Sequence, residues 1–77
     1  MENRAKSSYS IHEVAKKFNL NAWTIRFWAN HTNLLKPRQN RNGDILFAPE
    51  DVHKIGLISH LTNAEGIALQ DVGRYIF

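Results

Sequence analysis

The segment 21–31, NAWTIRFWANH, carries two tryptophans, a phenylalanine and an arginine within six positions. In a helix, Ile25 and Trp28 would face the core. The opposite stripe would carry Trp23, Arg26, Phe27 and Asn30. A solvated stripe usually consists of Glu, Lys and Gln, so exposed rings beside an arginine indicate a contact surface. Alternatively, Trp23 or Phe27 packs beneath the N-terminal arm or a neighbouring loop, because one tryptophan covers much of a small core.

Basic residues are concentrated in the first two thirds of the chain. Residues 1–48 hold eight Lys and Arg against three acidic residues, whereas residues 49–77 hold two against four. A basic region on a small domain is the charge pattern of a polyanion binder, although many small basic domains bind none. Lys16 and Lys17 fit an ordinary solvated helix face equally well.

Catalytic and metal-binding motifs are not evident. The four histidines, His12, His31, His53 and His60, have no partners at metal-ligand spacing. No Gly-rich phosphate loop, nucleophile motif or carboxylate pair stands out. We therefore expect no enzymatic activity, no metal and no cofactor.

The chain, 77 residues without cysteine, has room for one modest core and no disulfides. No apolar run approaches the roughly 20 residues that a membrane span needs, and no signal peptide opens the chain. We expect a cytoplasmic, nucleoid-associated protein. Residues 1–8 are predicted to be a flexible arm, and residues 9–77 one domain.

Two short helices are predicted before residue 31. Ser10 and Glu13 form a capping box at the start of the first helix, which should end near Asn19, a residue that tolerates the left-handed conformation. Asn21 is a favourable N-cap for the second helix. Two helices joined by so tight a turn are typical of a helix-turn-helix, whose second helix enters the DNA major groove.

A hairpin and two further helices should follow. Asn42-Gly43 predicts a tight type I′ turn between strands 34–38 and 45–47. Pro49 opens a third helix that should extend to about Leu61, followed by a loop and a fourth helix over residues 69–76. The predicted fold is mainly α with a small β-hairpin wing: a winged helix-turn-helix with four helices.

The segments YSIHEVAKKFNLNAWTIRFW, LLKP, NG and PEDV closely resemble the DNA-binding domain of the MerR family of bacterial transcription regulators. The resemblance covers about residues 9–76. It implies sequence-specific binding to double-stranded promoter DNA, with a recognition helix over residues 21–30 and a wing over residues 38–44 on phosphates.

The resemblance also implies roles for individual residues. Arg26 and Phe27 match a pair that contacts the DNA backbone and groove edge, and Trp23 and Thr24 match positions that face the bases. Asn63 matches the second wing. The complete predicted DNA-binding set is Lys16, Lys17, Trp23, Thr24, Arg26, Phe27, Asn30, Lys36, Arg38, Arg41 and Asn63.

The sequence departs from the family pattern at three positions. Ile45 replaces a frequent wing arginine, and Ala48 and Ala68 stand where helices usually open on Ser or Thr, which forfeits a capping bond. Family members carry a dimerisation helix after this domain, so we expect a monomer for these 77 residues and a homodimer if such a helix follows. Two alternatives are an excisionase-like DNA-bending protein and a winged-helix module that docks a protein.

Overall fold

The computed structural model describes residues 7–76; most of the predicted arm and Phe77 lie outside the described residues. Within that range, short helices pack together with a small antiparallel sheet. The elements in chain order are β1 (Tyr9–Ser10), α1 (Ile11–Phe18), α2 (Ala22–His31), β2 (Arg38–Gln39), β3 (Ile45–Phe47), α3 (Pro49–Ser59), a π-helical turn (His60–Ala64) and α4 (Leu69–Val72).

Both ends of α1 confirm the sequence prediction. The Ser10 N–H donates to Glu13 Oε1 at 2.8 Å, and the Glu13 N–H donates to Ser10 Oγ at 3.1 Å. Asn19 ends the helix in the left-handed region with φ of 57°. Helix α2 then starts directly after Asn21, as predicted, but the Asn21 side chain makes no capping hydrogen bond.

The sheet contains a strand that the sequence did not predict. Its order is β1-β3-β2, with Tyr9 opposite Phe47 and Arg38 opposite Leu46. The predicted strand 34–38 was wrong apart from its last residue, because β2 begins only at Arg38. The segment before it is instead held by hydrogen bonds to α3.

The predicted type I′ turn was also wrong. Such a turn needs positive φ at both central residues, whereas only Gly43 has it in this loop, with φ of 83°. The Gly43 N–H donates to the Asn40 carbonyl, and the Asn40 N–H donates to the Asp44 carbonyl at 3.1 Å. The hairpin therefore closes through a longer loop of residues 40–44.

The C-terminal elements differ from the predicted boundaries. After Ser59 the chain continues as a π-helical turn through Ala64, so part of the predicted loop is helical. Helix α4 ends at Val72, four residues before the predicted end. Its N-cap Ala68 makes no side-chain bond, and only one turn forms. Ala48 likewise leaves the start of α3 without a side-chain cap.

One hydrophobic core joins the helices to β3. Ile25, Phe47, Ile55 and Ile58 are fully buried, and Trp28 is 6% exposed. The predicted inward face of α2 is thereby confirmed. None of the helices within residues 7–76 combines the length and apolar character needed to cross a membrane.

Candidate nucleic-acid interface

The outward face of α2 carries the aromatic residues that the sequence placed there. Trp23 is 71% exposed and Phe27 is 38% exposed. Arg26 and Asn30 are exposed on the same side of the helix. Within residues 7–76, Trp23 is therefore not packed beneath a neighbouring loop; the alternative of packing beneath the N-terminal arm concerns residues that lie mostly outside the described range.

The rings on this face are stacked along the helix. The centroids of Trp23 and Phe27 lie 5.6 Å apart with 22° between their planes. The next pair, Phe27 and His31, lies 4.2 Å apart at 34°. Because Trp23, Phe27 and His31 follow one another at intervals of four positions, they form one row on the helix surface. We call Trp23, Phe27 and His31 the ring row.

Arg26 lies beside the hairpin rather than on an isolated helix face. It lines an open groove whose other walls are residues 10–12 at the start of α1 and hairpin residues 39 and 43–45. Strand β1 pairs with β3, which brings the start of α1 against the hairpin. The sheet thus brings α2 and the hairpin to the two sides of one groove.

The hairpin loop is held by two side chains: Gln39 Nε2 donates to the Gly43 carbonyl at 3.3 Å, and Asn40 makes the remaining bonds. Asn40 Oδ1 accepts hydrogen bonds from the backbone N–H groups of Asn42 at 2.9 Å and Asp44 at 3.0 Å. Asn40 Nδ2 donates to Asp44 Oδ2 at 3.3 Å. Arg41, at the tip, is exposed. A basic side chain is therefore displayed on a loop whose backbone conformation is defined.

Two further predicted residues lie on the approach to the hairpin. Lys36 is exposed, and its backbone N–H donates to the buried Asp51 carboxylate. Arg38 is exposed on the edge strand β2, where it lines a second groove together with Ser7 and Ser8. Arg38 is thus adjacent to the N-terminal segment, on a different groove from Arg26.

The remaining predicted residues are not gathered with Arg26. Lys17 lines an apolar groove with Phe18 and five residues of α3, and no residue of α2 or the hairpin lines that groove. Lys16 is exposed on α1, and Thr24 is half-buried on α2. Asn63 belongs to the π-helical turn, where its Nδ2 donates to Ser59 Oγ at 3.2 Å.

The titratable groups do not assemble a metal site. Among residues 7–76, no three His, Asp or Glu side chains are grouped so that they would hold a metal ion. His60 Nε2 lies 3.3 Å from Glu65 Oε2, but both side chains are more than half exposed.

The family comparison agrees with this geometry. The model of the MerR HTH family regulatory proteins matches residues 9–76. This chain belongs to the MerR family. The match begins at β1 and ends at the last described residue, so it includes both the helix pair and the hairpin. No curated protein matches the chain.

A solved MerR structure has the same fold. It is described as the crystal structure of HiNmlR, a MerR family regulator lacking the sensor domain, bound to promoter DNA. The two chains superpose with a TM-score of 0.75 at 26% sequence identity. The alignment covers 88% of this chain and 51% of HiNmlR, so this chain spans about half the length of that relative.

Sequence reasoning missed two residues of this MerR domain's candidate surface. His31 completes the ring row, and it would have been found by extending the spacing from Trp23 to Phe27 by four more positions. His12 lines the groove beside Arg26. No local signal marks His12, because only the pairing of β1 with β3 brings it there.

Proposed function

We propose that this chain is the sequence-specific, double-stranded DNA-binding domain of a bacterial transcription regulator. Helix α2 enters the major groove, and the hairpin lies on the flanking phosphates. The observation that carries the proposal is the groove that Arg26 shares with the hairpin, in a domain that belongs to the MerR family. HiNmlR, which has the same fold, was solved bound to promoter DNA.

Charge and chemistry divide the proposed contacts into two sets. The phosphate-facing residues are Lys16, Lys17, Arg26, Lys36, Arg38 and Arg41. Base-facing residues are Trp23 and Thr24 at the start of α2, because the N-terminal residues of a recognition helix reach the base edges. Phe27 and Asn30 contact the groove edge, and Asn63 contacts DNA from the second wing.

The regulator acts in the cytoplasm on promoter DNA. A homodimer forms where a dimerisation helix follows this domain, and each domain then binds one half-site. The protein-docking alternative draws support from the exposure of Trp23 and from Ile45 at a wing position. Ring stacking is compatible with both DNA binding and protein docking. The salt dependence of the binding affinity distinguishes them, because DNA binding releases counterions in proportion to the number of phosphate contacts.

The test is an amide NMR titration of the 77-residue chain with a random-sequence duplex, first at low and then at physiological salt. A monomeric domain is expected to bind with a Kd of roughly 10⁻⁴ to 10⁻⁶ M. Shifts should concentrate in residues 23–30 and 38–44 and should reverse as salt is added. Absence of shifts at low salt would reject DNA binding in favour of a docking module.

A further inference from the structure

The first turn of α2 presents unusual chemistry to a major groove. Trp23, the second residue of the helix, is the most exposed large hydrophobic residue among residues 7–76. Residues at this end of a recognition helix contact base edges. A base edge bound beneath α2 would therefore meet an indole ring, and the chemistry of that ring would set which bases bind favourably.

The apolar surface of an indole ring matches one major-groove group, the thymine methyl. The ring's single polar atom is the Nε1–H donor, and the rest of its surface is apolar. Base pairs present acceptors and donors in the major groove, and the C5-methyl group of thymine is the apolar exception. A G·C pair has no methyl group there, so placing the ring against it would desolvate several polar base atoms, of which the single Nε1–H donor can satisfy at most one.

We propose that Trp23 reads thymine through its C5-methyl group, which makes the first turn of α2 specific for A·T pairs. This inference rests on the proposed DNA-binding function. Stacking on Phe27 at 5.6 Å holds the ring before DNA arrives. A preorganised side chain loses less conformational freedom on binding than a mobile one does.

Asn21 adds a second feature that favours the same base pair. It occupies the N-cap position of α2, is exposed, and makes no side-chain capping bond. Its amide is therefore not committed to the helix end. A side-chain amide offers an NH₂ group that donates and a carbonyl that accepts, which match adenine N7 and N6 respectively. With Trp23 against the thymine and Asn21 against the adenine, both bases of the A·T pair are contacted, one on each DNA strand.

The experiment removes the methyl group and leaves the hydrogen-bonding groups unchanged. Affinity of the 77-residue chain is measured for alternating poly(dA-dT) and poly(dA-dU) duplexes at one low salt concentration. The variants are Trp23→Ala, Trp23→Gln and the matched control Tyr75→Ala, which removes an exposed ring outside α2. Circular dichroism checks that each variant is folded.

The wild-type chain should bind poly(dA-dT) about fourfold more tightly for each methyl group buried, the ratio that corresponds to about 0.8 kcal/mol. Both Trp23 variants should bind the two duplexes equally and retain phosphate-driven binding, whereas Tyr75→Ala should keep the wild-type preference. DNA should change tryptophan emission in wild type and not in Trp23→Ala, because Trp28 is buried.

Equal wild-type affinity for the two duplexes would overturn the thymine inference and leave DNA binding intact. A preference that survives in both Trp23 variants would do the same. So would complete loss of binding by a folded Trp23→Ala, because methyl reading predicts residual phosphate binding. Failure of the wild-type chain to bind either duplex at low salt would instead overturn the proposed function itself.

Discussion

The carboxylate of Asp51, which is 3% exposed, accepts a hydrogen bond from the backbone N–H of Lys36, with 3.4 Å between Oδ2 and N. Three residues further along α3, Lys54 Nζ donates to the Leu34 carbonyl at 3.2 Å. These two bonds tie the segment that leads into β2 to the start of α3. Helix α3 thereby sets the direction in which the hairpin leaves the core.

Replacing Asp51 should destabilise the fold. In Asp51→Ala, the Lys36 N–H loses its partner, and α3 loses a carboxylate from a first turn that Ala48 already leaves uncapped. We expect a loss of about 1 to 3 kcal/mol in the free energy of unfolding, measured in urea. Glu50→Ala is the matched control, since Glu50 is exposed in the same turn. An equal loss in the free energy of unfolding for Asp51→Ala and Glu50→Ala would contradict a stabilising role for the hydrogen bond between Lys36 and Asp51.

The two tryptophans of α2 should respond oppositely to truncation. Trp28→Ala removes a buried ring and should destabilise the domain by roughly 3 to 5 kcal/mol. Trp23→Ala removes an exposed ring and should leave the unfolding midpoint nearly unchanged. Urea unfolding followed by circular dichroism tests both variants. A Trp28→Ala domain as stable as wild type would show that the assignment of faces is wrong.

Arg26→Ala should weaken DNA binding and leave the fold intact, because the side chain is exposed in the groove beside the hairpin. Loss of one phosphate contact should also lower the log-log salt slope by about 0.9. Fluorescence anisotropy with a labelled duplex at several salt concentrations measures both. Arg74→Ala, the same charge change at an exposed position after α4, should alter neither.

A serine at the start of α3 should stabilise the domain. Ala48 has the extended conformation of an N-cap, with φ of −75° and ψ of 161°, but no side chain that bonds the helix. Ala48→Ser should add about 0.5 to 2 kcal/mol to the free energy of unfolding. Thermal unfolding should show a higher Tm than wild type. Ala64→Ser, outside any N-cap, should show no such rise.

Local sequence patterns determined the helix pair. The capping box joins Ser10 and Glu13, which lie three residues apart, and the left-handed conformation at Asn19 depends on that residue and its immediate neighbours. Both features can therefore be predicted from short stretches of sequence. The division of α2 into a buried Trp28 and an exposed Trp23 follows from helical periodicity alone. The same periodicity placed Arg26 and Phe27 on the outward face.

Contacts between distant residues decided the rest. Tyr9 becomes a strand residue only because Phe47, 38 positions later, supplies the pairing partner. The strand predicted from residue 34 is replaced by bonds to α3, since Asp51 offers a buried acceptor that periodicity does not reveal. The groove that Arg26 shares with the hairpin likewise depends on distant residues, because the pairing of β1 with β3 brings the start of α1 against the hairpin. Local periodicity is enough to predict which side chains face outward, whereas the pairing of distant segments brings some of those side chains onto one surface.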